Sequence, residues 1–250
     1  MNKYFFEELN KTGVAVAFFT PKGNGGWDYD DADSLARYEA LATDFNITTE
    51  KIVRTKQTHT SVVKSVNASN GGEGVSKPFG TMGFDGMITN TPGLMLCTKE
   101  ADCVPVYLLD PVKKAVGMVH SGWRGTVGQI SVDAIKKMVA EFGCEPKDIL
   151  VGIGPRICAK CYEVSEDLYA PFADKYTSEE MKELFIPEEG KAGKYLLNLK
   201  QAIVFSVEKA GVKPENIFDC GYCTYHDDKF DSYRLEGGTD NRMLTGIILK

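Results

Sequence analysis

Histidine is scarce in this chain: 3 of 250 residues, at His59, His120 and His226. That scarcity excludes a laccase-type trinuclear copper centre, which needs many more imidazoles. Positive charge is also short. Lys and Arg number 29 against 35 Asp and Glu, and the net charge of -6 gives no cationic footprint for nucleic acid. Long apolar runs are missing too. The stretch from Gly13 to Phe19 falls far below the roughly 20 residues a membrane helix needs. The opening MNKYFFEELN carries acidic residues and lacks the apolar core of a secretory signal. No repeat, heptad, low-complexity tract or dividing linker is visible. The expectation is a cytoplasmic protein with no membrane or nucleic-acid partner.

What is present fits that frame. Apolar content of 43% and charged content of 26% are enough for a sizeable core without staples. The 7 cysteines are odd in number, which argues against full disulfide pairing in a secreted chain. In a reducing compartment cysteines pack, bind metal or react. Cys158/Cys161 and Cys220/Cys223 imitate a four-cysteine zinc site. Residues 162–219 lie between the pairs, far more than a compact zinc ribbon allows, so buried free thiols are the expectation.

Apolar periodicity predicts a strand from Val14, then a helix capped by Asp31 or Asp33 with Leu35, Leu41 and Phe45 on one face. Strands follow from Ile52 and from Ser61 to Val66. Residues 67–80 read as a mobile Asn/Ser/Gly loop. Short strands cover residues 85–89, 94–98, 104–109 and 115–120, with Asp110–Lys114 as a turn. A helix runs through Ile130, Ala134, Met138 and Phe142. A strand at 149–153, helices near 165–173, 178–185 and 198–210, and a last strand at 243–249 complete the chain. One α+β or α/β domain over residues 1–250 is the economical reading.

The chemistry concentrates around one hairpin. If strands 104–109 and 115–120 pair, Cys103 and His120 lie side by side at their far ends. With His59 arriving from another strand they make a two-His, one-Cys set. Three protein ligands leave a fourth position open, the pattern of a catalytic zinc. Two imidazoles and a thiolate also suit copper, but zinc with an activated water is the stronger expectation. A small buried cysteine beside a histidine bonded to a carbonyl is the bland alternative. Ser121, Gly122, Trp123, Arg124 and Gly125 lead towards a helix. Its free N–H groups and the Arg124 fork could hold phosphate or carboxylate; a plain strand-to-helix turn is the alternative. Gly152, Gly154, Pro155 and Arg156 could line the same face. Glu100 or Asp102, crowded beside Cys103, could orient a ligand or carry a proton. Arg234 and Arg242 could close a pocket, but taken alone they read as surface charges.

These segments in order resemble the YfiH family, long labelled laccase-domain or polyphenol oxidase proteins. The signature pieces are Gln57-Thr58-His59, Asp85-Gly86-Met87-Ile88-Thr89, Ala101-Asp102-Cys103-Val104-Pro105 and His120-Ser121-Gly122-Trp123-Arg124-Gly125. Gly154-Pro155, Cys161-Tyr162-Glu163-Val164 and Ser232-Tyr233-Arg234 complete the set. The resemblance implies an α+β fold, mixed β-sheets flanked by helices, grouped with the cytotoxic-necrotizing-factor catalytic domain. It implies a zinc-dependent enzyme, copper being the alternative metal, that phosphorylyses adenosine, inosine, guanosine and methylthioadenosine and deaminates adenosine. His59, Cys103 and His120 would be its metal ligands, and Asp102 would join them in catalysis. Arg37, Gln57, Ser121, Arg124 and Gly125 would bind nucleoside and phosphate. The kinship with deamidases keeps a cysteine hydrolase with a Cys103 nucleophile and a His120 base in view. A copper polyphenol oxidase is the older reading, and a non-catalytic assembly factor is a third. Purine nucleosides and phosphate are the expected partners of a monomer or weak homodimer. Three departures bear on substrate preference: residues 23–28 lack the family's Leu-Gly, Ala36-Arg37 replaces an Asn-Arg pair, and Asn241-Arg242 stands where the family has Gly-Arg.

Overall fold

The structure is a computed structural model describing residues 1–80 and 83–250. Two β-sheets face each other. The first has the order β1 (Tyr4–Phe5), β2 (Ala15–Phe19), β14 (Met243–Leu249), β6 (Met95–Glu100), β3 (Ile52–Arg54). The second runs β13 (Ile217–Asp219), β9 (Leu150–Ile153), β7 (Val104–Asp110), β8 (Ala115–Ser121), β5 (Gly86–Thr89), β4 (Val63–Ser65). Both mix parallel and antiparallel pairs. A small antiparallel sheet joins β10 (Glu163–Ser165), β12 (Lys194–Leu197) and β11 (Phe185–Pro187).

Side chains alternate across each strand, so each large sheet has two apolar faces. Ala15, Ala17, Leu96 and Ile247 of the first sheet pack on Tyr107, Leu109, Val116 and Met118 of the second. The two sheets share this middle layer of the core. The Tyr107 hydroxyl donates to the Phe18 carbonyl across the gap at 2.8 Å. The outer face of the first sheet, with Phe18, Cys97 and Ile248, is covered by α2 (Ser34–Asp44) through Tyr38 and Leu41. The outer face of the second, with Val106, Leu108 and Val119, meets α4 (Ile130–Phe142) and α7 (Leu199–Lys209). The result is four layers, helix, sheet, sheet and helix. Each fully buried Leu, Ile or Val adds about 1.5–3 kcal/mol to this packing. Three shorter helices, α1 (Glu7–Asn10), α5 (Tyr169–Ala173) and α6 (Ser178–Leu184), fill the edges. One more, α3 (Trp123–Val127), follows β8 directly.

Most of the expected elements form. Helix α4 ends where Gly143 takes a left-handed φ of 67°, a geometry that costs glycine nothing. In α2 the buried face carries Tyr38 and Leu41, whereas Leu35 is exposed, and Asp33 makes no side-chain cap bond. Residues 67–80 are a packed turn rather than a free loop. Asn67 and Asn70 form a reciprocal capping box at a short 3-10 turn, and Gly72 and Glu73 bond the backbone of β3. The short strands β1, β10, β11 and β13 escaped the periodicity, since two or three residues cannot display a period. No helix among the described residues is long and apolar enough to cross a membrane.

Candidate metal centre and its cavity

Strand parity builds the centre. Pro105 pairs with His120 across β7 and β8, so Cys103, just before β7, sits beside the end of β8 as the hairpin geometry requires. His120 shares its face of β8 with Val116 and Met118, the face turned towards the first sheet. Glu100, ending β6 in that sheet, points back across the gap. Its Oε2 lies 3.8 Å from Nε2 of His120. His59 arrives on the segment after β3, its ring centroid 5.0 Å from that of His120. Ligating atoms of His59, Cys103 and His120 all fall within 4.8 Å of one another.

Asp85 organises two of these three groups. Its buried carboxylate accepts from Nδ1 of His120 at 2.8 Å and from the backbone N–H groups of Thr58, His59 and Thr60. Burial opposes its ionisation, but the His120 and Thr60 hydrogen bonds prevail and hold it at about 2. With Nδ1–H donated to Asp85, Nε2 of His120 faces the centre. Burial also opposes the Cys103 thiolate. The charge of His120 and the hydrogen bonds from both histidines overcome it and bring the thiol down to about 6. Burial alone would lower His120, yet Cys103, Glu100 and Asp85 raise it well above the usual imidazole value. Glu100 is pushed up to about 8, chiefly by burial, and neither of its oxygens has a hydrogen-bond partner among the described residues.

Gly122 leaves the room this centre needs. A Cβ there would stand 3.0 Å from the Cys103 sulfur and 3.3 Å from Cδ2 of His59. The donor set is soft and mixed, with one buried imidazole, one exposed imidazole and one sulfur. It suits a single ion with a free coordination position and does not suit a multicopper cluster.

The centre opens into a cavity of about 540 Å³. Trp123 and Tyr162 supply aromatic wall, and Arg124, Arg234, Arg242 and Lys99 supply positive charge. The Arg124 guanidinium lies 4.3 Å from the Trp123 ring centroid, and that of Arg234 lies 5.2 Å from Tyr162. Gln57 also lines the cavity, but its amide is held by the Lys99 backbone in both directions, at 2.6 and 2.9 Å.

Several expected site residues lie elsewhere. Arg37 is outside the cavity wall, paired with Asp31 at 2.9 Å and bonded to the Gly26 carbonyl. Ser121 is buried and bonded to Thr126, and Gly125 is buried within α3, so neither meets the cavity. Helix α3 is a five-residue turn separated from α4, so the long helix does not present its start to the cavity. Asp102 is present but committed. It accepts from Thr224 at 2.6 Å, Ser232 at 2.7 Å and the Arg234 N–H at 2.7 Å, at a left-handed φ of 83°. It lines the cavity and fixes the backbone before Cys103, with both of its oxygens engaged. Arg234 and Arg242, read from sequence as surface charges, belong to the cavity. In the sequence Asp85 is marked only as the first residue of the Asp85–Thr89 signature segment, with no role assigned to it.

A family model described as multi-copper polyphenol oxidoreductase laccase matches residues 10–250. The chain is 33% identical over 222 residues to the purine nucleoside phosphorylase YlmD of Bacillus subtilis, covering 88% of this chain and 78% of that one. It is 36% identical over 168 residues to a purine nucleoside phosphorylase of Bacteroides thetaiotaomicron, covering 67% and 61%. The crystal structure of the hypothetical protein YfiH of Bacillus licheniformis superposes with a TM-score of 0.88 at 27% identity, over 99% of this chain and 96% of that one.

Proposed function

The chain belongs to the multi-copper polyphenol oxidoreductase laccase family, which takes in the YfiH and YlmD proteins, and on that premise we propose a zinc-dependent purine nucleoside phosphorylase. One observation carries the reading: a three-ligand centre opens onto a cavity that pairs aromatic wall with three arginines. An aromatic wall suits a flat purine, and arginine forks suit phosphate oxygens. The cavity volume lies within the range of small-molecule sites.

His59, Cys103 and His120 would hold the ion. When bound, it supplies Lewis acidity and lowers the pKa of water. Asp85 keeps His120 in the tautomer that offers Nε2. Trp123 and Tyr162 flank the base and exclude water from it. Arg124, Arg234 and Arg242 draw phosphate towards the ribose carbon and offset its charge as the base departs. Glu100, 3.8 Å from Nε2 of His120, holds a proton at neutral pH.

That last feature favours a second reaction at the same site, deamination of adenosine. A buried carboxyl held near 8, within reach of the centre, can pass protons to and from the base. The lowered thiol of Cys103 beside His120 keeps a cysteine-nucleophile reading testable. We place the protein in the cytoplasm, where its 7 thiols, all unpaired in the structure, would stay reduced.

The deciding experiment measures free base and ammonia released from adenosine, inosine, guanosine and methylthioadenosine, with and without phosphate, alongside metal content. Wild type should release base only with phosphate, and Cys103→Ala should lose both metal and activity. Metal-replete protein that releases neither base nor ammonia from any of the four would end the proposal. Full turnover by metal-free protein would transfer it to the cysteine reading.

A further inference from the structure

A second group of soft ligands lies outside the cavity. Cys158 and Cys161 occupy the turn that follows β9. Cys223 and His226 occupy the turn that follows β13, the parallel neighbour of β9. Ligating atoms of all four residues fall within 4.8 Å of one another. We propose that Cys158, Cys161, Cys223 and His226 bind one zinc ion in a closed tetrahedral site that clamps these two turns together.

The geometry supports a single ion. The sulfurs of Cys158 and Cys161 are 3.7 Å apart and unbonded. Four ligands around zinc at about 2.3 Å from each sulfur give a sulfur–sulfur edge of about 3.8 Å. Nε2 of His226 stands 3.0 Å from the Cys161 sulfur, and its Nδ1 lies 3.9 Å and 3.7 Å from the sulfurs of Cys158 and Cys161. Cys223 completes the set, its sulfur placed over the first turn by the Cys158 N–H at 3.3 Å. Three thiols and one imidazole without a carboxylate match structural zinc better than a hard cation. Uptake of the ion releases up to three protons from the thiols.

The sequence hid this set. Spacing pointed to Cys220 as the partner of Cys223, but Cys220 packs against the cores near Phe19 and Phe230 instead. The fourth ligand is a histidine three residues beyond Cys223. The cysteines are unpaired as expected, and three of them would serve as thiolate ligands.

The clamp has a physical route to the cavity. Thr224, next to Cys223, donates to Asp102, next to Cys103. Arg156 and Cys223 form a backbone bridge, and Arg156 holds Asp219 through two bonds of 2.7 and 2.8 Å. Ser232, Tyr233 and Arg234 continue from the same segment to the cavity wall. Zinc at the clamp would therefore hold the segment that positions Cys103 and carries Arg234.

The test uses the full chain, purified reduced. A His59→Ala/Cys103→Ala variant disables the cavity centre and should still retain one zinc per chain. Substituting Co²⁺ there should give sulfur-to-metal charge-transfer absorption and tetrahedral ligand-field bands, lost on adding Cys158→Ser/Cys161→Ser. Because those variants can misfold, wild type is also alkylated with iodoacetamide with and without Zn²⁺, then mapped by mass spectrometry. Zinc should slow modification of Cys158, Cys161 and Cys223 at least tenfold and leave Cys220 unchanged. Equal alkylation with and without zinc would overturn the proposal. A Cys158–Cys161 disulfide with no retained metal would overturn it too. Neither readout depends on nucleoside turnover, so the outcome is separate from that of the proposed activity.

Discussion

The Asp85 carboxylate accepts a hydrogen bond from Nδ1 of His120 at 2.8 Å while also accepting three consecutive backbone N–H groups around His59. One side chain thereby fixes two of the three candidate ligands and orients the ring of one. The positive φ of His59, 59°, persists because the segment is pinned in this way.

Asp85→Asn should weaken metal binding about 10- to 100-fold, as loss of a ligand's carboxylate partner generally does. Competition with a chromophoric chelator measures this. The variant should also lose about 2–3 kcal/mol of stability, since an amide cannot accept every bond the carboxylate does. Asp85 ionises at about 2 in the fold, so its stabilisation is complete above the unfolded value of about 4 and is lost as pH falls through about 2. Wild type and variant should converge in stability over that acid window. Unchanged chelator competition would remove Asp85 from its assigned role.

Metal retention should fall as pH drops through about 6, where Cys103 takes up its proton. Dialysis against buffered chelator from pH 8 to pH 5, followed by metal analysis, checks this. Retention at pH 5 equal to that at pH 8 would show that the thiolate is not a ligand.

Glu100→Gln should slow deamination by about 10²–10⁴-fold with the metal still bound. Glu100 is protonated below about 8, so a rate that needs its acid form declines above that pH. The variant should lack that alkaline decline. An identical pH profile in the two proteins would assign the proton to another group.

Arg124→Ala and Arg234→Ala should each raise the KM for phosphate about 10- to 100-fold, the loss of one charge-assisted contact. Arg37→Ala should leave it unchanged, because Arg37 is engaged by Asp31 away from the cavity. Steady-state kinetics at varied phosphate distinguish these outcomes. A large effect of Arg37→Ala would mean that the cavity extends further than the structure describes.

Gly122→Ala should disturb the centre without unfolding the protein. The added methyl would press on the Cys103 sulfur and the His59 ring. Metal affinity should drop at least tenfold with a melting temperature within a few degrees of wild type, since the site lies at the end of the sandwich rather than in its core. Undiminished affinity would show that the sulfur can move aside.

The pairing of Cys103 with His120 was legible because it is local. A four-residue connection, 111–114, joins two strands, and antiparallel pairing puts their far ends together whatever the rest of the chain does. The helix α4 and the strands from Met95 to Ser121 were legible for the same reason, each carrying its own periodicity. Arg234, Arg242 and His226 carried no such mark. Their roles come from contacts with residues far off in sequence, as when Ser232 reaches Asp102.

Composition and spacing alone determined that this chain could hold one ion at a two-histidine, one-cysteine centre and could not hold a copper cluster. Local strand and turn chemistry supplied half of that centre. Only the packing of one sheet on the other decided the rest: Glu100 against His120, Asp85 beneath both histidines, the arginines around the cavity, and three cysteines gathered with His226. Alternation along a strand fixes which face a side chain takes, but what stands opposite that face is set by long-range burial of the apolar surfaces, which no local pattern encodes.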